Sequence, residues 1–220
     1  MLQNKRFDFD KELVKGFDYL IGTDEAGRGP GAGPVFAAAV CFTNVNENLM
    51  RLLVKLNDSK QISEKTREEL FEVIVNNSIY SIKSGSVEEI EKYNILKTSL
   101  NTMKKACLEV GQKIGSENIL VAVDGNKTIM DFKFNQKTIV KGDFKSASIA
   151  AASILAKVSR DNFMKELDKE YPMYHWTENK GYLTAAHLKA VDEFGLTKWH
   201  RKKFFEKHFE KSKQLSLLQS

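Results

Sequence analysis

The sequence has little proline, little cysteine and no long apolar run. It contains three prolines and two cysteines in 220 residues. Cys41 and Cys107 lie far apart, each inside an apolar run, so we expect two buried, reduced thiols and no CxxC metal site. The longest apolar runs, 35–42 and 149–156, fall well short of the ~18 residues that a membrane span needs. A membrane-spanning protein and a disulfide-stapled secreted domain are therefore excluded.

A secretory signal is also missing from the first seventeen residues. They are charged throughout and contain neither a continuous apolar core nor a small-residue cleavage site. We therefore expect a cytoplasmic protein. The length favours one main domain with a small appendage.

Positive charge is concentrated near the C-terminus. Residues 180–213 hold nine Lys or Arg against four Asp or Glu, a difference equal to the net charge of +5 of the whole chain. Aromatic residues are interleaved with these bases: Tyr182, Trp199, Phe204, Phe205 and Phe209. The pattern suits a polyanion whose sugars or bases pack against rings, and it suits a solvated amphipathic helix equally well.

The hydrophobic periodicity predicts an α/β fold. Strands are expected at 19–24, 35–42, 78–87, 119–124 and 137–143. Helices are expected at 64–76, 94–110, 146–170, 184–194 and 202–211. This order predicts a mixed five-stranded sheet flanked by helices, with a small helical appendage at the C-terminal end.

The segment 22–34, which reads GTDEAGRGPGAGP, places two carboxylates beside a glycine loop. Gly27, Gly29 and Ala32 fit the loose GxGxxG/A dinucleotide fingerprint, which requires a helix to follow. Gly33 and Pro34 oppose a helix and a strand is predicted next, so the nucleotide interpretation is disfavoured. The run also lacks the Gly-Lys-Ser/Thr of a phosphate-binding P-loop.

Acidic residues end three of the predicted strands: Asp24 and Glu25, Asp124, and Asp143. Ligand sites in such sheets gather at the carboxyl ends of strands, so these acids are expected to converge. Divalent cations relieve the repulsion between converging carboxylates, and hard oxygen ligands favour magnesium or manganese. Two such ions ~4 Å apart can clamp the attacking water and the leaving oxygen of a phosphodiester. Each acid alone would more simply cap a turn.

Five segments together resemble the ribonuclease HII family: GTDEAGRGPGAGP, DSKQIS at 58–63, VDGN at 123–126, KGDFKSASIAAASILAKVSRD at 141–161 and KGYLT at 180–184. The resemblance runs in consistent order from about residue 18 to 205. It implies a ribonuclease H-like fold and an enzyme that cuts the RNA strand of RNA/DNA hybrids. It also implies cleavage 5′ of single ribonucleotides in duplex DNA, leaving a 3′-hydroxyl and a 5′-phosphate. The intact GRG and the short N-terminal segment separate the chain from the sibling ribonuclease HIII family.

The resemblance assigns roles to individual residues. It makes Asp24, Glu25, Asp124 and Asp143 the catalytic carboxylates that bind Mg²⁺ or Mn²⁺, with two ions expected when substrate is present. It makes Gly27, Arg28 and Gly29 the loop that senses the 2′-hydroxyl at an RNA–DNA junction. Tyr182 would pack against the adjoining deoxyribose, and Lys60 would contact substrate phosphates.

The expected organisation is an N-terminal extension at 1–17, a catalytic domain at 18–180, a helical substrate-binding region at 181–211 and a flexible tail at 212–220. We expect a monomer that contacts no membrane. The alternative function is a catalytically silent hybrid-binding module of the same fold. Asp161 is interpreted as one half of a charge pair on a helix surface, and the four histidines as structural or solvent-facing.

The tail contains QLSLL, which resembles the short motif that docks bacterial repair proteins on the sliding clamp. Its candidate clamp-binding residues are Gln214, Leu215, Leu217 and Leu218. A frayed tail with scattered leucines is the other interpretation.

Overall fold

A five-stranded mixed sheet forms the centre of the molecule. The structure, a computed structural model, describes residues 4–54 and 62–217, with side chains described up to Glu210. The strands lie in the order β3-β2-β1-β4-β5. Their bounds are β1 Tyr19–Ala26, β2 Val35–Cys41, β3 Ile79–Gly85, β4 Ile119–Asp124 and β5 Asn135–Ile139.

Helices cover both faces of this sheet and extend beyond its edge. Their bounds are α1 Lys5–Leu13, α2 Glu47–Leu52, α3 Glu64–Asn77, α4 Val87–Tyr93, α5 Ile95–Ile114, α6 Gly142–Lys145, α7 Ala147–Glu170, α8 Trp176–Asn179, α9 Ala185–Phe194 and α10 Lys202–Leu217. The α/β fold with its five-stranded mixed sheet and C-terminal helices confirms the predicted class. Five helices were not predicted from the sequence patterns: α1, α2, α4, α6 and α8.

Strand direction places the ends of β1 and β4 together. β2 runs antiparallel to β1 and β3, whereas β4 pairs parallel with both β1 and β5. The carboxyl ends of β1, β4 and β5 therefore lie at the same edge of the sheet. This is the edge at which the predicted acids were expected to converge.

Two long helices sandwich the central strands. α7 packs on β1 and β2 on one face, and α5 packs on β2 and β3 on the other. α7 approaches closely because Gly22 carries no side chain: a Cβ there would lie 2.3 Å from the Ser148 carbonyl carbon. The alanines at 150–152 keep the facing surface of α7 small and are fully buried. Ser146 begins α7 by accepting a hydrogen bond from the Ile149 amide at 3.2 Å.

Both cysteines are free and buried, as predicted. Burial raises the pKa of each thiol to about 12, so neither is a reactive thiolate. Within the described parts of the chain, no helix is long and apolar enough to cross a membrane.

Three sequence expectations need correction. Asp143 does not end a strand: β5 stops at Ile139, and Asp143 lies in the single turn of α6. α10 continues to Leu217, so residues 212–217 of the predicted tail are helical. The N-terminal extension is part of the domain, since Phe7 of α1 belongs to the core under the sheet and lies 5.5 Å from the Phe42 ring.

The aromatic residues of the basic stretch mostly form a third core. Trp199, Phe204, Phe205 and Phe209 pack with Trp176 and with the end of α7. Among the five, Tyr182 is the exposed ring, with half of its surface accessible. The aromatics therefore hold the C-terminal helices to the domain, and only Tyr182 offers its ring to a ligand.

Candidate active site

Asp24 and Glu25 lie where β1 leaves its parallel neighbour. The pairing of β1 with β4 ends at Thr23, while its pairing with β2 continues to Ala26. The acids therefore stand where the sheet opens between β1 and β4. Asp24 is 6% exposed, and its Oδ1 accepts a hydrogen bond from the Glu25 amide at 2.7 Å.

Asp124 borders this opening from the other side, and Asp143 lies on the turn that is bonded to Asp124. Asp124 ends β4, and its Oδ1 accepts a hydrogen bond from the Gly142 amide at 2.7 Å. Gly142 immediately precedes Asp143, so this bond ties the turn that carries Asp143 to β4. The left-handed backbone of Lys141, at φ 55°, turns the chain from β5 into α6.

The electrostatics show that the acids crowd one another. Burial raises the pKa of Asp24 well above its ordinary value, and the negative charges of Glu25 and Asp124 raise it further. Burial also raises the pKa of Glu25, while the Arg28 guanidinium opposes that increase. Arg28 Nη1 lies 3.1 Å from Glu25 Oε1. Three of the predicted acids, Asp24, Glu25 and Asp124, therefore lie close enough for their charges to interact.

The donor chemistry of this group suits a divalent cation. All donors are carboxylate oxygens, the ligands preferred by Mg²⁺ and Mn²⁺, and their mutual repulsion is the kind that a cation relieves. Across the residues placed by the structure, no three His, Cys, Asp or Glu side chains already form a metal cage. Glu25 is instead paired with Arg28, and Asp124 with the Gly142 amide. The residues fit a metal by chemistry and charge rather than by a preformed cage.

The two glycines of the GRG motif in the loop after β1 have different surroundings. Gly27 has φ +102°, and a Cβ there would lie 2.2 Å from Arg160 Nε. Gly29 lies beside the exposed tyrosine, because its Cβ would be 3.3 Å from Tyr182 Cε1. The structure thus brings Gly29 and Tyr182 together, with the Arg28 side chain half exposed between the loop and Glu25.

Arg201 holds the inner side of this loop. Its side chain is fully buried, and its Nη2 donates to the Gly27 carbonyl at 2.8 Å and to the Gly33 carbonyl at 2.7 Å. Nη1 donates to the Pro30 carbonyl at 2.7 Å and, at 3.3 Å, to that of Arg28. Carbonyls held inward by one guanidinium fix the path of the loop.

Arg160 of α7 supports the next part of the loop. Its Nη2 donates to the carbonyls of Ala32 and Lys180, at 3.1 and 3.0 Å. Burial lowers the pKa of both guanidiniums, to about 9 for Arg201. Arg160 is not among the predicted site residues, and Arg201 is one of the bases predicted to face a polyanion. Sequence alone held no signal for these two buried guanidiniums.

Two neutral histidines, His187 and His200, hold the backbone of Tyr182 in place. His187 Nδ1 donates to the Tyr182 carbonyl at 2.9 Å, which leaves its Nε2 to accept from Trp176 Nε1 at 3.2 Å and from His200 Nε2 at 3.1 Å. His200 Nδ1 in turn accepts from the Thr197 amide at 2.9 Å. Each ring therefore carries one proton, in line with the predicted structural role of these histidines. Burial lowers the pKa of both.

The remaining predicted residues have mixed outcomes. Asp161 pairs with Lys157 at 2.7 Å as expected, but its side chain is buried and not on the helix surface. Lys60 lies outside the described residues, as does Leu218. The last turns of α10 contain Gln214, Leu215 and Leu217.

The family model and the curated relatives agree on one family. The family model described as Ribonuclease HII matches residues 21–212. The chain is 48% identical over 186 residues to the Ribonuclease HII of Pelagibacter ubique (strain HTCC1062), covering 84% of this chain and 95% of that one.

Solved structures show the same fold. One is the PCNA:RNase HII complex from Archaeoglobus fulgidus, at TM-score 0.67 and 25% identity, covering 83% of this chain and 93% of the matched chain. Another is Bst-RNase HIII in complex with Mn²⁺, at TM-score 0.67 and 17% identity, covering 88% of this chain and 67% of the other.

Proposed function

The chain belongs to the ribonuclease HII family, and from that membership we propose that this ribonuclease H cuts the RNA strand of RNA/DNA hybrids and cuts 5′ of single ribonucleotides in duplex DNA. The products are a 3′-hydroxyl and a 5′-phosphate. The cellular task is the removal of ribonucleotides misincorporated into DNA. The enzyme works as a monomer in the cytoplasm.

The observation that carries this proposal is the crowding of Asp24, Glu25 and Asp124 where the sheet opens, with Asp143 on the turn tied to Asp124. Buried like charges are costly, and a fold that retains them needs a use for their combined field. A silent binding module gains nothing from such a quartet. The arrangement therefore favours catalysis over binding alone.

Asp24, Glu25, Asp124 and Asp143 are the residues that would hold the metal, Mg²⁺ or Mn²⁺. When bound, divalent ions supply activation of water and stabilisation of negative charge at the phosphodiester. The Mn²⁺ complex of Bst-RNase HIII supports this choice of ion class. Arg28, now paired with Glu25, supplies the positive charge that opposes repulsion within the group.

Gly27, Arg28 and Gly29 sense the ribonucleotide, and Tyr182 packs against the adjoining deoxyribose. The absence of a side chain at Gly29 lets a nucleic-acid backbone approach the loop beside Tyr182, and the loop amides can bond a sugar hydroxyl. Tyr182 supports this role by exposing its ring beside Gly29. Lys60 would add a phosphate contact.

The test is cleavage of a DNA duplex that carries one ribonucleotide, compared with an all-DNA duplex and an RNA/DNA hybrid. Each substrate is incubated with Mg²⁺, with Mn²⁺ and with EDTA. Metal-dependent cutting 5′ of the lone ribonucleotide, with all-DNA intact, is the expected result. Cutting of the hybrid alone would reject junction sensing and keep the metal site. No cutting with either ion would favour the silent binding module.

A second proposal concerns the C-terminal end: residues 214–218 dock on the bacterial sliding clamp. The Archaeoglobus fulgidus relative was solved in complex with PCNA, which supports a clamp partner for this family. Truncation before Gln214 should abolish clamp binding in calorimetry while cleavage of the single-ribonucleotide duplex stays unchanged. Equal clamp binding by the truncated and full chains would remove the idea.

A further inference from the structure

We infer that helix α1 is a positioning element for Asp143, acting through Arg6 and Asp10. The inference rests on the proposed function, since it takes Asp143 as one of the metal-binding acids. Neither Arg6 nor Asp10 contacts substrate in this scheme. Both act on the α6–α7 segment, residues 142–148, which carries Asp143.

Arg6 donates a hydrogen bond to the residue that follows Asp143. Its side chain is 3% exposed, and its Nε donates to the Phe144 carbonyl at 3.0 Å. The two residues are 138 positions apart in sequence. A buried guanidinium has few ways to be satisfied, so this carbonyl is held in a defined place.

Asp10 grips the first turn of α7. Its side chain is 7% exposed, and its Oδ2 accepts from both the amide and the Oγ of Ser148, each at 2.8 Å. A carboxylate at the beginning of a helix is stabilised by the unpaired amides and the helix dipole. Asp10 therefore holds Ser148 in the first turn of α7, five residues after Asp143.

Asp143 is thus bracketed by ties on both sides. On the N-terminal side the Gly142 amide is bonded to Asp124, and on the C-terminal side Phe144 and Ser148 are bonded to α1. Without the α1 bonds, the residues on the C-terminal side of Asp143 would lose their contacts to α1, while Gly142 would stay bonded to β4 and Ser146 would still cap α7. The carboxylate of Asp143 would then sample more positions relative to Asp124.

The polar ties matter because α1 is incompletely packed. A cavity of about 840 Å³ borders the helix and is lined by Phe7, Asp10, Phe42 and Met50 among others. Phe7 reaches the core, but Asp10 Oδ1 is buried without a hydrogen-bond partner among the described residues. A helix with open space beside it depends on directional hydrogen bonds to hold its position. In α1 those bonds go to the α6–α7 segment.

The experiment measures Mn²⁺ binding by calorimetry without nucleic acid, together with the Mn²⁺ concentration that gives half-maximal cleavage. Arg6→Ala and Asp10→Ala should each weaken Mn²⁺ binding by ~10-fold, the scale at which residues behind a metal ligand act. Arg6→Lys should restore part of the affinity. Asp8→Ala is the matched control, since it removes an exposed carboxylate from the same helix and should change neither value.

Outcomes separate this inference from the proposed function. If Asp143→Asn loses Mn²⁺ affinity and cleavage while Asp10→Ala binds Mn²⁺ like the wild type, the inference fails and the function stands. If Asp143→Asn retains both, the assignment of Asp143 fails first. A lower melting temperature with unchanged Mn²⁺ affinity would show a purely structural role. Should Asp10→Ala not fold, Asp10→Asn and Ser148→Ala, which perturb the same bond with little change of shape, decide the question by the same measurements.

Discussion

Arg201 Nη2 donates to the Gly27 carbonyl at 2.8 Å, across 174 positions of sequence. The bond joins the residue just before α10 to the first glycine after β1. The same guanidinium also reaches the carbonyls of Pro30 and Gly33, so one side chain holds the glycine loop at several points along its length. The loop is therefore rigid before any nucleic acid arrives.

Arg201→Lys tests that rigidity. Lysine keeps the charge but loses the planar fork, so several buried carbonyls lose their donor, at a cost on the order of 3 kcal/mol. We expect a lower melting temperature and a higher KM for the single-ribonucleotide duplex. Lys202→Ala, which alters an exposed neighbour, is the control and should match the wild type. Wild-type KM in Arg201→Lys would show that the loop needs no such support.

The two glycines of the GRG motif should respond differently to alanine. Gly27→Ala forces a positive φ on a residue with a Cβ and drives that Cβ into Arg160, so we expect a loss of at least ~2 kcal/mol of stability. Gly29→Ala meets only the edge of the Tyr182 ring and should fold normally. Thermal unfolding of both variants checks this. Equal melting temperatures would contradict the described loop.

Asp143→Asn should separate binding from turnover. Removing one negative charge lowers repulsion toward the phosphates, so binding of the single-ribonucleotide duplex should persist or tighten. Turnover should fall by ~10²-fold or more, the scale of losing one preorganised electrostatic group. Fluorescence anisotropy and single-turnover cleavage measure the two effects. Comparable cleavage rates for variant and wild type would remove Asp143 from the metal site.

The C-terminal region should lose stability in acid. Burial and the neighbouring His187 lower the pKa of His200 from 6.5 to about 3, so below pH 6.5 the unfolded chain binds a proton that the folded chain refuses. Stability is therefore complete above pH 6.5 and falls as the pH drops toward 3, by up to ~1.4 kcal/mol per pH unit.

Denaturant unfolding between pH 7 and 5 measures this slope. His200→Asn should flatten it, because asparagine can still accept from the Thr197 amide and does not titrate. His175→Asn, at an exposed position, should leave the slope unchanged. An identical slope in wild type and His200→Asn would show that His200 is not the source.

Sequence patterns predicted the elements whose apolar residues face the sheet. β4 and α7 were predicted nearly to the residue because buried runs and the Ser146 cap are local signals. α6 was missed because the left-handed Lys141 and the Gly142–Asp124 bond are tertiary features. α1 was missed because it buries Arg6 and Asp10, which a hydrophobic pattern reads as solvent-facing.

The site was predictable to a similar extent. The acids and glycines could be proposed as site residues because carboxylates and Gly carry their chemistry in their residue type. The supports under them were not, since nothing in the sequence distinguishes Arg201, which grips carbonyls, from Lys202, which faces solvent.

The isolated β-bridge between Ala32 and His200 joins two segments that are synthesised at different times. A ribosome adds roughly 5–20 residues per second, so the glycine loop is made about eight seconds or more before His200 and Arg201. The nascent chain can assemble its sheet in that interval, but it has no Arg201 with which to shape the loop. The loop therefore takes its final shape only once Arg201 has been made, after all four acids have already been translated.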